Sequence, residues 1–290
     1  MRISNSIAIN NNPASALSAF INIDEDYLKA GEEWWHLNDN SDTVVKLRRA
    51  TDDATSDFTG AELHDGTAET WCGGSGAGNH GLIDSWYSPY GGAILIQTTL
   101  TQQPTLIKDG VLLVEDGHPF IEFDGVDDSL FVSQGLINRS VNPNFVCCTA
   151  RVRSGTRVGL LDSTPSNYAS NRVSYYMSAT TGPGLGTVLS IRNAGSSTGH
   201  QAERPASTTD TLVVAGGMGA SNMAHAYWNQ EGEPAKTMAS ATGGTYLRLG
   251  WQSASTLFNA VNIKELYITH APVIAEEPSV INYYMTKYGI

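Results

Sequence analysis

The sequence predicts an all-β domain, a sandwich built from many short antiparallel strands. The 290-residue chain is 41% hydrophobic and 16% charged, so it has enough apolar residues for a sizeable core. It contains 29 glycines, a residue that tight turns between strands often require. From residue 44 onward, short apolar runs alternate with Gly, Pro, Asn, Asp or Ser, which is the pattern of strands joined by turns.

The predicted strands are these apolar runs, several of which alternate apolar and polar residues as half-buried strands do. In chain order they read VVKLRR, GLIDSW, AILIQT, VLLVE, PFIEFD, SLFVS, NFVCCTARVR, RVGLLD, RVSYYM, TVLSIR, TLVVAGG, AHAYWNQ, YLRLGW and VNIKELYIT. No repeat of fixed period runs through them, so a propeller or a solenoid is not expected.

Helical patterning is confined to the two ends of the chain. It is weak from Ala16 to Ile21 and from Tyr27 to Trp35, and we expect residues 1–40 to form an N-terminal arm and residues 41–290 the sandwich domain. The C-terminal stretch EEPSVINYYMTKYGI predicts a helix with a proline in its first turn and Gly289 as its stop. Its apolar stripe consists of Ile281, Tyr284, Met285 and Tyr288.

The charge of the chain restricts its partners. A formal net charge of −12 argues against nucleic acid and against anionic membrane surfaces, and favours an uncharged partner such as a neutral glycan or another protein. No stretch approaches the roughly 20 apolar residues of a membrane span, so no membrane insertion is expected. The first residues lack the pattern of a signal peptide, so we expect synthesis in a cytoplasm without export by the usual route.

The three cysteines are Cys72, Cys147 and Cys148, an odd number that argues against a disulfide framework. Cys147 and Cys148 are neighbours within a predicted strand, where successive side chains point to opposite faces. We therefore expect two separate thiols. Neither the cysteines nor the histidines have the spacing of a zinc site.

Five segments in a fixed order resemble a known family. They are VKLRRATDDATSDF, GLIDSWYSPYGG, QQPTLIKDG, PFIEFDGVDDSLFVS, and NIKELYIT followed by INYYMTKYGI. This set resembles the concanavalin A-like (laminin G-like) jelly-roll domains of bacterial and phage proteins, and more narrowly the arabinofuranosidase B-like branch. The resemblance covers residues 44–290 and implies a jelly-roll β-sandwich with a short C-terminal helix.

The chain departs from this family at two places that matter for function. The family pattern Trp-Tyr-Asp-Gln-Ser-Gly is replaced by WYSPYG, so Ser88 stands in place of the acid. The fungal enzymes of the branch carry a vicinal cysteine pair closely followed by an acidic stretch with the nucleophilic Glu. Here no carboxylate follows Cys147 and Cys148 until Asp162. The nucleophile implied by the resemblance therefore has no counterpart at that place.

Four aromatic residues are candidates for stacking on a sugar: Trp71, Trp86, Tyr87 and Tyr90. The alternative is that Trp86 belongs to the core and that Tyr90 only forms part of a turn. Trp34 and Trp35 either cover one edge of the core or dock a partner.

The acidic candidates are dispersed. Glycoside hydrolysis needs two carboxylates about 5 Å apart or about 6.5–9.5 Å apart, and Glu69 and Asp84 are weak candidates for this role. Asp124, Asp127 and Asp128 could offer oxygen ligands to calcium. The favoured alternative for these three is a tight turn after a strand.

The function inferred first is a non-enzymatic bacteriophage virion module of the capsid, tail or fibre. It would decorate the particle or bind a receptor, with a possible glycan-binding surface, and its partners would be other virion proteins or its own subunits in a homo-oligomer. The first alternative is a glycoside hydrolase or depolymerase of the arabinofuranosidase type. The second is a calcium-assisted lectin.

Overall fold

The structure is a computed structural model. It describes residues 23–132, 144–154, 157–164, 173–179, 186–192, 200–205, 211–218, 223–229, 231–232, 236–237, 246–252, 257–258, 260–269 and 276–290. The helix expected from Ala16 to Ile21 lies outside the described residues.

Strands make up most of the described chain. In the first half they are β1 (Glu33–Trp35), β2 (Thr43–Arg49), β3 (Thr55–Thr59), β4 (Gly81–Tyr87), β5 (Ile94–Ile96), β6 (Thr105–Lys108), β7 (Val111–Leu112), β8 (Val114–Glu115), β9 (His118–Pro119), β10 (Ile121–Asp124) and β11 (Leu130–Val132). In the second half they are β12 (Asn144–Ser154), β13 (Arg157–Thr164), β14 (Val173–Ala179), β15 (Gly186–Arg192), β16 (His200–Pro205), β17 (Leu212–Met218), β18 (Met223–Trp228), β19 (Glu231–Gly232), β20 (Lys236–Thr237), β21 (Tyr246–Leu249), β22 (Trp251–Gln252), β23 (Leu257–Phe258) and β24 (Ala260–Thr269).

The helices are short except for the last one. They are α1 (Glu25–Lys29), α2 (Gly60–His64), α3 (Thr67–Trp71), a single 3-10 turn (Leu100–Gln102) and α4 (Glu277–Tyr288). As predicted, α4 has a proline in its first turn, and it ends at Gly289 with φ 67°. Within the described residues, no helix combines the length and the apolar character that spanning a bilayer would need.

The antiparallel pairings arrange the strands in two layers. In the first layer the order is β18, β17, β12 and β24, with β1 and β10 side by side on the other edge of β24 and β6 beyond β10. In the second layer the order is β3, β2, β4, β5, β11, β21, β13, β14, β15 and β16. A short pairing of β4 with β6 joins the two layers. The predicted all-β fold is therefore confirmed.

The inner core fills the space between the two layers. It contains apolar side chains from the second layer, such as Leu47 and Trp86, and from the first layer, such as Ile263 and Leu266, all fully buried. Strand alternation selects these residues, because every second side chain points between the layers. At roughly 25 cal/mol per Å² of buried apolar surface, this is the main source of stability.

The outer cluster covers the opposite face of the first layer. Helices α1 and α4 contribute to it, and α4 lays its predicted stripe on this face, with Ile281, Tyr284 and Tyr288 buried. The register of β24 shifts by one residue, so that Thr149 pairs with Glu265 and Ala150 with Ile263. Lys264 is the extra residue of this bulge, which turns Lys264 and Glu265 toward the same face as α4.

The N-terminal expectations need correction. Helical structure was predicted from Tyr27 to Trp35, but α1 ends at Lys29 and the tryptophans lie in β1, which pairs with β24. The boundary expected at residue 40 would separate β1 from the sheet to which it belongs. Trp34 and Trp35 are both fully buried, on opposite faces of β1, so they cover the core and are not a docking surface.

Candidate functional site

An open groove of about 430 Å³ lies on the second layer, beside the start of β2 and the end of β4. Its lining residues are Asp42, Thr43, Asp57, Tyr87, Ser88, Pro89, Gly92, Ala93 and Ile94. The strand order β3, β2, β4, β5 explains why segments distant in sequence meet there. Two carboxylates and an aromatic ring thus face one solvent-filled space.

Each groove carboxylate accepts a hydrogen bond from a tyrosine. The Tyr87 hydroxyl donates to Asp57 Oδ1 at 2.8 Å, and the Tyr90 hydroxyl donates to Asp42 Oδ2 at 2.6 Å. Burial, followed by the hydrogen bond to the carboxylate, raises the pKa of both tyrosines well above the usual value, so both hydroxyls stay protonated donors. The carboxylates keep further lone pairs, because each can accept about four hydrogen bonds.

The turn from Ser88 to Ala93 forms one wall of the groove and is fixed from below. Ser88 Oγ, at the position of the family's acid, accepts the backbone N–H of Trp34 at 2.8 Å. The buried Glu33 carboxylate accepts the backbone N–H of Ala93 at 3.0 Å. A Cβ on Gly91 would lie 1.6 Å from a backbone oxygen, so only glycine fits there. Ser88 therefore serves the architecture of the turn.

The aromatic candidates divide into two pairs. Tyr87 lines the groove. Tyr90 does not line it and stacks on Trp34, with ring centroids 5.6 Å apart. Trp86 is fully buried in the inner core, so its prediction as a sugar contact was wrong and the core alternative was right. Trp71 packs edge-on against Phe58 beneath the Arg49 guanidinium, and it does not line the groove.

The two acidic candidates from the sequence lie outside the groove. Glu69 Oε1 accepts the backbone N–H of Leu112 at 2.6 Å, which ties α3 to β7. Asp84, on β4, accepts the hydroxyl of Ser85 at 2.9 Å. Since neither residue lines the groove, the structure does not bring them together as a pair there.

The acidic turn, Asp124 to Asp128, does converge. One carboxylate oxygen each from Asp124, Asp127 and Asp128 lies within 4.8 Å of the others. Much of their capacity is used internally, because Asp124 Oδ1 accepts two backbone N–H groups of the turn and Asp128 Oδ2 accepts that of Asp124 at 2.8 Å. Gly125 has φ 84°, as the turn alternative predicted. Calcium binding there stays the less favoured hypothesis from the sequence.

Two other motifs of the resemblance are structural. Arg48 is buried and donates to Gln103 Oε1 at 2.5 Å and to Asp53 Oδ1 at 2.6 Å, while Arg49 forms a two-pronged pair with Asp52. The double-arginine element and the Gln-Pro element thus meet as a clamp between β2 and the 3-10 turn. These two motifs therefore hold the fold together through polar contacts, and they do not form part of the groove.

The vicinal cysteines are free and buried, as expected. Cys147 belongs to the outer cluster and Cys148 to the inner core, so their side chains lie on opposite faces of β12. Burial raises the pKa of the Cys147 thiol well above its usual range and that of Cys148 to about 12. Thiols in this state are protonated and unreactive.

Sequence reasoning missed Asp42 and Asp57, the carboxylates that the groove contains. Asp42 lies in the turn before β2 and Asp57 lies within β3, and no motif links them. The pairing of β2 with both β3 and β4 brings them to the same groove. No hairpin of β2 and β3 was predicted from the sequence. Such a prediction would have placed Asp42 and Asp57 near each other.

Comparison with known proteins gives matches at the level of structure only: no family model and no curated protein matches the chain. A mutant GH54 α-L-arabinofuranosidase soaked with 4-nitrophenyl α-L-arabinofuranoside is similar, with a TM-score of 0.58 and 14% identity over 87% of this chain and 62% of that one. An arabinofuranosidase complexed with arabinofuranosyl-α-1,2-xylobiose has a TM-score of 0.57 and 16% identity over 87% and 61%.

A sialidase of Trypanosoma rangeli is more distant, with a TM-score of 0.50 and 8% identity over 71% of this chain and 31% of that one. The chain spans about three fifths of the length of the arabinofuranosidases. At these identities the likeness concerns the fold alone. That shared fold agrees with the resemblance in the sequence to the arabinofuranosidase B-like branch, because two of these solved structures are arabinofuranosidases.

Proposed function

We propose that this chain is a carbohydrate-active domain of the glycoside hydrolase type, which binds a saccharide in the groove and uses Asp42 and Asp57 as its pair of carboxyl groups. One observation carries the proposal: two carboxylates and a half-buried tyrosine line the same open groove. The glycosidase-like fold supports it, and so does the lining, which combines polar acceptors with the apolar side chains of Pro89 and Ile94.

The chemistry asked of the pair is acid–base catalysis. One carboxylic acid protonates the leaving oxygen, while the other carboxylate either activates a water molecule or attacks the sugar directly. In this proposal Tyr87 and Tyr90 are positioning residues, because their hydroxyls orient Asp57 and Asp42. Each carboxylate retains an oxygen that can face the substrate.

The test is release of reducing ends from neutral polysaccharides by the full chain and by Asp42→Asn and Asp57→Asn. Asparagine keeps an acceptor for each tyrosine but cannot exchange a proton, so each change is expected to lower the rate by about 100- to 10,000-fold. Asp39→Asn, an exposed acid outside the groove, and Glu69→Gln are the matched controls. Activity that survives both groove changes would refute the catalytic assignment.

A non-catalytic lectin is the second candidate. It is favoured by the fixed position of both groove carboxylates, which suits the acceptance of sugar hydroxyl groups without any chemistry. The lectin is the right candidate if the chain binds a saccharide without releasing sugar and if Asp57→Asn abolishes that binding. The bacteriophage virion role remains a hypothesis from the sequence, and neither the described residues nor the glycosidases above support it.

A further inference from the structure

We propose that the groove binds two or more consecutive units of a neutral glycan chain along its length, not a single terminal sugar. This inference rests on the proposed function and names its substrate class. It follows from the extent of the groove, from its open shape and from the sign of its charge.

The extent of the groove follows from the strands beneath it. Its lining includes Asp57 from β3, Thr43 from β2, Tyr87 from β4 and Ile94 from β5. These four strands are neighbours in the second layer, and adjacent strands lie about 4.8 Å apart, so the outer two are about 14 Å apart. This backbone-to-backbone span is longer than a single sugar ring, so the surface above the four strands offers room for at least two units.

The groove is open to solvent and does not enclose its contents. A pocket for a terminal sugar surrounds that sugar on most sides, as small-ligand sites do. An open groove across a sheet lets a chain continue past both ends. The shape therefore favours an internal segment of a glycan.

The charge of the groove excludes acidic sugars. Asp42 and Asp57 are acidic residues, and none of the described residues that line the groove is a lysine, arginine or histidine. Lys46 lies opposite Asp57 in the β2–β3 register but does not line the groove. A uronate or sialate carboxylate would meet at least one like charge, because an acid–base pair keeps one member ionised, whereas neutral hydroxyl groups donate well to carboxylates.

The remaining lining suits the apolar faces of sugar rings. Ile94 is 41% exposed, and the half-buried Tyr87 and Pro89 present further nonpolar surface to the same space. Carboxylates and such surfaces in one groove suit sugar units, which present both hydroxyl edges and C–H faces.

The experiment is calorimetric titration of the full chain with neutral xylo-, cello-, manno- and arabino-oligosaccharides of one to six units. We expect at least one neutral series in which affinity rises by about tenfold or more from one unit to three and then levels off. Equal affinity for the monosaccharide and the hexamer would overturn the inference while leaving the proposed function intact. No binding of any saccharide would overturn both.

Charge selection is tested with oligogalacturonates of the same lengths. We expect them to bind at least about tenfold more weakly than the best neutral series, and we expect Asp57→Asn to narrow this gap while Asp39→Asn leaves it unchanged. Equal binding of acidic and neutral chains would overturn the inference. A gap that Asp42→Asn and Asp57→Asn both leave intact would also overturn it, because the groove charge would then not be its cause.

Discussion

The outer cluster and the groove use the same residue types in opposite surroundings. In the outer cluster, Glu265 is fully buried and accepts hydrogen bonds from Trp34 Nε1 at 2.5 Å, from Lys287 Nζ at 2.8 Å and from Tyr288 at 2.5 Å. In the groove, Asp57 is exposed and accepts one hydroxyl, from Tyr87. A carboxylate saturated with internal donors stabilises the fold, whereas an exposed one keeps the capacity to meet a ligand.

The largest expected effect is on the buried side of this comparison. Glu265→Ala leaves the Trp34 N–H and the Tyr288 hydroxyl without their acceptor. It also removes the carboxylate that pairs with the Lys287 ammonium, which keeps Asn38 Oδ1, so we expect a loss of about 3–5 kcal/mol in the free energy of unfolding. Urea denaturation measures it. The exposed Asp57→Asn should stay within about 0.5 kcal/mol of the unchanged chain.

Glu265→Gln sharpens the same prediction. Glutamine can still accept from Trp34 or Tyr288 but loses the charge that pairs with Lys287, so its loss should be smaller than that of the alanine variant. If the alanine variant unfolds at the same urea concentration as the unchanged chain, the hydrogen bonds to Glu265 contribute nothing to the free energy of unfolding. The comparison between Glu265 and Asp57 then fails.

An intermediate effect is expected from pH, through Glu277 at the start of α4. Burial, partly offset by the Tyr227 hydroxyl, raises the pKa of this carboxyl to about 7. A raised pKa means that the folded state binds the proton more tightly than the unfolded state. The contribution of Glu277 to the free energy of unfolding is therefore fully present below about pH 4.5 and is lost as the pH rises to about 7. The total loss is on the order of 3 kcal/mol.

Glu277→Gln should flatten this fall in urea denaturation curves recorded from pH 4.5 to 8. Part of the slope should remain, because burial also raises the pKa of Asp128 to about 7. Asp128→Asn is therefore the companion variant, and the double variant should show the flattest profile. If the free energy of unfolding of Glu277→Gln falls with pH as steeply as that of the unchanged chain, Glu277 is not the cause of the fall.

The smallest effect is expected from calcium at the acidic turn, Asp124 to Asp128. Its carboxylates accept some internal hydrogen bonds, fewer than Glu265 does. Asp124 and Asp128 already accept backbone N–H groups, so we expect calcium chloride to leave the thermal unfolding midpoint unchanged. A rise in the midpoint that a chelator reverses, and that Asp127→Asn abolishes, would instead establish a cation site.

The strands and α4 could be predicted because their signals are local. Alternating apolar residues and Gly-rich turns identified most of the longer strands, although β3 and β16 lie outside the predicted runs. The stripe from Ile281 to Tyr288 identified α4. The bulge at Lys264 was not predictable, since the sequence NIKELYIT alternates imperfectly and gives no sign of which residue is extra. Helical spacing at the N-terminus was overridden by pairing of β1 with β24.

The groove could be predicted only in part. Of the four aromatic candidates, only Tyr87 lines the groove. Whether an aromatic residue faces solvent depends on strand parity and on what covers it, and this separated Trp86 from Tyr87. Asp42 lies outside all five segments of the resemblance, and Asp57 lies near the end of the first segment, VKLRRATDDATSDF, where no role was attached to it. Their proximity to one groove arises from β-sheet register between distant segments.

The sequence by itself determined the all-β class, the positions of most strands, the C-terminal helix and the unpaired state of the cysteines. These follow from side-chain periodicity and turn chemistry, which act over a few residues. Only the tertiary structure decided which tryptophans are core, where the charges of the outer cluster meet, and which carboxylates share the groove. Those outcomes depend on non-local strand pairing, and a shift of one residue in register reverses the face of every side chain beyond it.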